Sequence, residues 1–114
     1  METNYYLGFD GGGTKTRACL MDDLDRVVCE AYGPASSIDT VSLETSLASL
    51  AATYAALPEQ HSVAAVFAGL GGIAGPLDIA RYIAALRQLP FVPEGARIGA
   101  ENDVLNALAS GNGK

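Results

Sequence analysis

The sequence predicts an α/β domain in which helices cover a mixed sheet. Three short apolar segments separated by turn residues open the chain and predict an antiparallel meander. After Gly33-Pro34 the apolar residues change to helical spacing, and two further strands then alternate with helices. The expected element order is therefore β-β-β-α-β-α-β-α, and strands that alternate with helices after an opening hairpin imply a mixed sheet.

Each of the predicted strands is a short apolar run that ends at turn residues. The strands are expected at Tyr5–Asp10, Thr16–Asp22, Arg26–Tyr32, Ser62–Ala68 and Arg97–Ala100. Asp22, Asp23 and Asp25 lie between the second and third runs. We interpret them as a polar turn rather than a metal site, because no EF-hand pattern follows.

Helical periodicity predicts three helices. The first covers Val41–Leu57, could be capped by Asp39, Thr40 or Ser42, and is ended by Pro58. The second begins at Pro76, which suits a first helical turn, and continues to about Leu89. The third would be capped by Asn102 or Asp103, with Val104, Leu105 and Leu108 facing inward.

Composition restricts the classes of partner. The chain has 114 residues, 49% of them hydrophobic and 18% charged, which favours one folded domain. A net charge of −6 disfavours a nucleic-acid partner. The sequence contains no apolar stretch long enough to span a membrane and no signal peptide, so we expect a cytoplasmic protein without a membrane partner. Cys19 and Cys29 are expected to be buried free thiols, and His61 a solvated side chain.

The first candidate site is the glycine-rich segment Gly8-Phe9-Asp10-Gly11-Gly12-Gly13-Thr14-Lys15-Thr16. It is not a Walker A loop, because Thr14 stands where that motif requires Lys and a strand follows instead of a helix. Between two strands, glycines allow positive φ and close approach, and successive N–H groups can form an anion nest. Thr14, Lys15 and Thr16 add donors, and Asp10 could hold Mg²⁺ through water. The alternative is a plain glycine-rich turn.

Two further segments could carry chemistry. Gly69-x-Gly71-x-x-Ala74 matches the dinucleotide fingerprint, but Glu101 lies too far downstream to be its acidic partner. We therefore prefer a close-packed turn that lines a cleft. Glu101-Asn102-Asp103 follows a strand at the end where open α/β sheets bind ligands. There Asp103 either caps a helix or accepts a proton from a substrate hydroxyl.

Four segments together resemble the N-acetylglucosamine kinase branch of the sugar kinase/Hsp70/actin superfamily, which is grouped with the BadF/BadG/BcrA/BcrD ATPases. They are Gly-Gly-Gly-Thr at 11–14, Gly33-Pro34-Ala35, Ala68-Gly69-Leu70-Gly71-Gly72 and Asn102-Asp103. The order and spacing of these segments agree with those of the family, so the resemblance covers nearly the whole chain. The resemblance implies a ribonuclease H-like fold and an actin-like ATPase lobe that binds ATP and Mg²⁺ between two lobes.

Residue roles follow from the same resemblance. Asp10 would be the metal-linked aspartate, and Asp103 the base that deprotonates the sugar hydroxyl. The phosphate loop would comprise Gly11, Gly12, Gly13, Thr14, Lys15 and Thr16. The sugar side of the cleft would include Gly71, Gly72, Asn102 and Ser36. Members of the family usually carry an Asn shortly after Gly-Pro, where this chain has Ser36-Ser37.

The resemblance implies an ATP-dependent amino-sugar kinase with a small-molecule sugar as its partner. The second phosphate motif and the adenosine motif do not appear by Lys114, so we expect residues 1–114 to be the N-terminal lobe, inactive alone, of a homodimeric full-length enzyme. The alternatives are an ATPase that activates a 2-hydroxyacyl-CoA dehydratase and a non-catalytic nucleotide- or sugar-binding module. A dinucleotide-binding domain is a further alternative.

Overall fold

A computed structural model describes residues 4–102 of the chain. Five strands form one sheet in the order β3-β2-β1-β4-β5. The elements, in chain order, are β1 (Tyr5–Gly11), β2 (Lys15–Asp22), β3 (Val27–Pro34), α1 (Leu43–Ala55), β4 (Ala65–Leu70), α2 (Gly75–Leu86) and β5 (Arg97–Glu101).

The sheet is mixed, as the sequence predicts. Strands β1, β2 and β3 pair antiparallel as a meander, and β4 and β5 add to the other side of β1 in parallel. β1 is thereby the central strand, and its carboxyl end lies beside the carboxyl end of β4. Open α/β sheets place their ligands at this edge.

The main hydrophobic core lies between the sheet and the two helices. α1 packs against β2 and β3, and α2 packs against β5. Leu7, Phe9 and Leu20 from the sheet, and Leu50 and Leu86 from the helices, are fully buried. A smaller cluster of Tyr6, Ala65 and Phe67 occupies the opposite face of the sheet. Residues of β1 and β4 thus alternate between two apolar environments, which fixes the register of the central strands.

Some predicted boundaries are wrong. β4 continues through Gly69 and Leu70, which the sequence assigned to a loop, because both residues pair in the ladder with β1. α1 is shorter than predicted at both ends, and Ser42 is its N-cap, accepting a hydrogen bond from the Thr45 amide at 3.1 Å. The predicted third helix and Asp103 lie outside the described residues.

Side chains outside the site also differ from expectation. His61 is not simply solvated: its ring stacks on Tyr5 with centroids 3.9 Å apart and bonds Glu59 at 2.7 Å. Cys19 and Cys29 are free thiols, as predicted, but both are only half-buried. Within residues 4–102, no helix is long and apolar enough to cross a membrane.

Candidate functional site

The loop between β1 and β2 consists of Gly12, Gly13 and Thr14, and it leaves backbone donors open. The Gly12 amide donates to the Lys15 carbonyl at 2.9 Å. Within the described part of the chain, the amides of Gly13 and Thr14 have no hydrogen-bond acceptor. Both residues are exposed. Adjacent exposed amides without an acceptor are a candidate site for an anion.

Asp10 is the last side chain of β1 before this loop on its face of the sheet. Its register partners are Arg17 on β2 and Gly69 on β4. The side chain is exposed, and among residues 4–102 it has no ion-pair partner within reach. Because a glycine flanks it on one side, the carboxylate is open to a ligand that lies across the strand ends.

The glycine loop is anchored to two other loops by backbone hydrogen bonds. The amides of Ser36 and Ser37 both donate to the Gly12 carbonyl at 3.2 Å. The Gly71 amide donates to the Gly11 carbonyl at 3.2 Å, and the Ile38 amide to the Gly71 carbonyl at 3.0 Å. Three segments that the sequence analysis treated as separate therefore form one junction. We call these bonded segments, residues 11–14, 36–40 and 71–72, the three-loop junction.

Close approach explains why the junction needs glycine. A Cβ built on Gly11 would lie 2.0 Å from Ser36 Oγ and 2.3 Å from Leu70 Cδ2, and one on Gly71 would lie 2.7 Å from Ser37 Oγ. Gly72 also has φ of +88°, a conformation that L side chains rarely adopt. In the first loop, none of Gly11–Gly13 has positive φ. The expected left-handed glycines are thus absent there, and steric contact is the reason for Gly11.

Ser36 of the junction and Thr16, which lies next to it on β2, are both fully buried. The Thr16 hydroxyl lies 2.7 Å from the Pro34 carbonyl and 2.5 Å from Ser36 Oγ. The Ser36 carbonyl in turn accepts from Ser46 Oγ at 2.6 Å. These contacts give both residues a structural role, because they hold the start of β2, the β3–α1 loop and α1 together. Their predicted roles toward phosphate and sugar stay predictions.

Asp39 is a candidate that the sequence analysis considered only as a helix cap. Its carboxylate accepts from the hydroxyls of Ser37 and, at 3.2 Å, Thr40. These two bonds hold the pKa of the exposed Asp39 carboxyl below its usual value, with Ser37 the larger cause. The Asp39 backbone also lies against Gly72. No sequence motif marks this residue, because its partners are set by the packing of two loops.

A cavity of about 310 Å³ lies beside the glycine loop. It is lined by Asp10, Gly12, Thr14, Lys15, Arg17 and Tyr32. Lys15 Nζ lies over the Tyr32 ring, 5.2 Å from its centroid, and the Arg17 guanidinium is paired with Glu30. Thr14 with its open amide, two cations and one carboxylate thus line a single space, a combination suited to a phosphate group and its metal ion.

The other predicted site residues lie near the same edge of the sheet or outside the described part. Gly71 and Gly72 form the turn that follows β4 and contact the 36–40 loop. Asn102 is exposed and directly follows β5. Asp103, the predicted base, lies outside the described residues. The roles of all four toward a sugar or a proton stay predictions.

The residues present fit a magnesium ion held jointly with a nucleotide. Within residues 4–102, no group of three or more His, Cys, Asp or Glu side chains could hold a metal ion by itself. Mg²⁺ is commonly bound through one or two carboxylates together with substrate phosphates and water. Asp10, exposed beside the open amides, can serve as that single carboxylate.

Comparison with solved structures identifies a similar fold in a crystal structure. A Chromobacterium violaceum protein provisionally named an N-acetylglucosamine kinase matches with a TM-score of 0.59 and 27% sequence identity. The match covers 78% of this chain and 32% of that chain, so the present sequence spans about a third of that protein. No protein-family model matches the sequence, and neither does any curated protein.

This likeness confirms the predicted fold class. The mixed five-stranded sheet, with its antiparallel meander and its parallel β4 and β5, corresponds to a lobe of the actin-like ATPase type found in the matched protein. The sequence and the fold together support a relationship to sugar kinases in general, so this chain is similar to a lobe of a sugar kinase.

Proposed function

We propose that this chain is the phosphate-binding lobe of an ATP-dependent kinase that phosphorylates a hydroxyl of N-acetylglucosamine or a related amino sugar. The observation that carries the proposal is the pair of open amides at Gly13 and Thr14, beside the exposed Asp10 carboxylate. The likeness to the Chromobacterium protein supports the choice of a sugar kinase. Within that branch, the relationship to the BadF/BadG/BcrA/BcrD group is part of the proposal.

Phosphoryl transfer depends chiefly on positioning and on neutralisation of charge. In the proposed complex, the amides of Gly13 and Thr14 donate to phosphate oxygens of ATP, and the Lys15 ammonium adds a mobile positive charge. Hydrogen bonds to a charged acceptor are shorter and stronger than neutral ones. The three-loop junction keeps these donors fixed, because the Gly12 carbonyl is already bound by Ser36 and Ser37.

Asp10 would hold Mg²⁺ through bound water. When bound there, the ion neutralises part of the phosphate charge as transfer proceeds. Asp10 is suited to this role because it is exposed, follows the central strand and faces the cavity that the loop lines. The carboxylate, rather than a cluster of ligands, supplies the protein side of the site.

The acceptor hydroxyl would lie on the other side of the junction. Asp103 is the proposed general base, a role that typically contributes ~10²–10⁴-fold to the rate. Gly71, Gly72 and Asn102 would border the sugar. We add Asp39 to this set, because its exposed carboxylate accepts hydrogen bonds from Ser37 and Thr40 and its backbone lies against Gly72. A carboxylate can accept hydrogen bonds from two sugar hydroxyls.

The test is phosphoryl transfer from ATP to N-acetylglucosamine, measured in the protein that joins this lobe to its second lobe. Asp103→Asn is expected to lower the rate of transfer by at least the ~10²-fold typical of a lost base, which abolishes useful turnover. ATP binding should be retained. Near-normal turnover by that variant would overturn the assignment of Asp103. The 114-residue chain alone is expected to bind Mg-ATP weakly and to transfer no phosphate.

A further inference from the structure

We propose that Glu30 is a positioning residue that holds Arg17 away from Asp10 and so keeps the Asp10 carboxylate free for a divalent cation. This inference rests on the proposed function, because it concerns the metal site of the same nucleotide complex. It assigns a role to Glu30, which lies on the edge strand β3 and does not itself line the cavity.

The sheet register places Arg17 where it would normally neutralise Asp10. The two residues are direct partners in the antiparallel β1–β2 ladder. Directly opposed side chains on one face have Cβ atoms about 4.5–5.5 Å apart, and opposite charges at such positions attract. A carboxylate paired in this way would offer a weaker site to a cation, since the guanidinium would repel the ion.

The structure shows Arg17 paired elsewhere. Its guanidinium contacts the Glu30 carboxylate through both Nε and a terminal nitrogen. Glu30 pairs with Cys19, two residues along β2, so it is the diagonal neighbour of Arg17 and within reach of a long side chain. The Glu30 hydrogen bond is also the largest cause of the raised pKa of Arg17.

A second side chain of β3 acts on the other nearby cation. The Tyr32 ring, which pairs in register with Arg17, lies under Lys15 Nζ at 5.2 Å. Glu30 and Tyr32 therefore hold Arg17 and Lys15, the two cations at the start of β2, toward the edge strand β3. Asp10 has no ion-pair partner among the described residues, although two cations lie on its own face of the sheet.

The experiment compares ATP affinity with and without Mg²⁺ for this chain and its variants, following the Gly13 amide by NMR. The dissociation constant without Mg²⁺ divided by the constant with Mg²⁺ isolates the metal contribution, because general attraction of ATP to positive charge affects both constants. Glu30→Gln is expected to lower this ratio by about two- to fivefold, the range that partly exposed charge pairs produce. The double variant Arg17→Gln/Glu30→Gln is expected to restore it.

Glu59→Gln is the matched control. It also removes one exposed acidic partner, but that partner serves His61, away from the cavity. The control ratio should equal that of the parent chain. Rescue by the double variant separates positioning from a structural defect, because a loss of packing at Glu30 would not be repaired by removing Arg17 as well.

The outcomes separate the two proposals. If the parent chain binds ATP equally with and without Mg²⁺, the metal role of Asp10 in the proposed function fails, and the inference fails with it. If the parent depends on Mg²⁺ and Glu30→Gln has the same ratio, the inference alone is overturned. A lowered ratio that the double variant does not restore also overturns it.

Discussion

The two hairpin turns of the meander are similar in length and differ in how the hydrogen bonds of their backbone amides are satisfied. In the β2–β3 turn, the Asp22 carboxylate accepts from the amides of Leu24 and Arg26 at 2.9 and 3.0 Å and from Arg26 Nε at 2.9 Å. In the β1–β2 turn, the amides of Gly13 and Thr14 have no acceptor within the described residues. The β2–β3 turn uses its donors within the fold, whereas the β1–β2 turn leaves two exposed amides for the anion site that we propose.

The two aspartates show the same contrast. Asp22 is largely buried, and its hydrogen bonds, chiefly the one from the Arg26 amide, hold its pKa below the usual value. Asp10 is exposed, and its register partner Arg17 is bound to Glu30 instead. One carboxylate is therefore used within the fold, and the other remains available.

The largest expected effect concerns the anchoring of the β1–β2 turn. Gly11→Ala would force a methyl group into Ser36 Oγ and Leu70 Cδ2, at 2.0 and 2.3 Å. Such overpacking typically costs about 1–3 kcal/mol, measurable by urea unfolding. Gly12→Ala is the matched control, since its Cβ would meet only the Lys15 carbonyl at 3.8 Å. Equal stability of the two variants would contradict the steric explanation.

The next effect separates the two aspartates. Asp10→Asn is expected to weaken Mg²⁺-dependent ATP binding about tenfold, the lower end of what loss of a residue that holds a metal through water costs. Its stability should stay near that of the parent. ATP binding is followed by NMR titration, in which the Gly13 and Thr14 amides should shift and the Leu24 amide should not.

Asp22→Asn is the reciprocal control for that experiment. It should leave ATP binding unchanged and lower stability, because the amide replaces a charged acceptor of three hydrogen bonds. As the folded pKa of Asp22 is depressed, its contribution is present above the unfolded pKa of about 3.9 and is lost as pH falls below it. A parent and variant with identical acid unfolding would contradict this.

The smallest effect concerns the support beneath the three-loop junction. The Tyr82 hydroxyl bonds Ser46 Oγ at 2.6 Å, and Ser46 also holds the Ser36 carbonyl. Tyr82→Phe is expected to cost about 1 kcal/mol in urea unfolding at neutral pH, the usual value of one such bond. Ser42→Ala is a useful comparison, because it removes an exposed helix cap that does not touch Ser36.

Alkaline pH offers a second measurement on Tyr82. Burial raises its pKa to about 12. Because the folded pKa lies above the unfolded value of about 10, stability from the neutral phenol is fully present below pH ~10 and is lost as pH rises toward ~12. Tyr82→Phe should flatten this decline. An unchanged decline in the variant would assign the alkaline transition to another group.

Local patterns predicted most of the fold because each element carries its own signal. The apolar runs predicted every strand to within a few residues, and the change of period after Gly33 placed α1. The predicted end of a strand was wrong where pairing with a neighbouring strand, and not residue composition, set the boundary. The glycine-rich composition around Gly69 and Leu70 favours a loop, yet the ladder with β1 keeps both residues in β4.

The sequence predicted the separate segments of the candidate site, but it did not predict how those segments contact one another. Asp10 and the glycine loop are visible because glycines, hydroxyls and one carboxylate follow each other directly in the chain. Asp39, which we propose as a site residue, was missed because its bonds from Ser37 and Thr40 and its contact with Gly72 depend on the packing of two loops. The structure shows the Ser36 hydroxyl enclosed beside Thr16, and the sugar contact expected of Ser36 stays a prediction.

The fold class and the glycine-rich turn could be predicted from the chain alone, since alternation, helical spacing and adjacent glycines are local properties of the chain. Which amides stay open, which hydroxyls are buried and whether Asp10 is paired could be learned only from the folded chain. Those outcomes depend on contacts between loops tens of residues apart and on the register of neighbouring strands. The register sets Arg17 opposite Asp10, and the diagonal contact with Glu30 then decides which of the two acids the guanidinium binds.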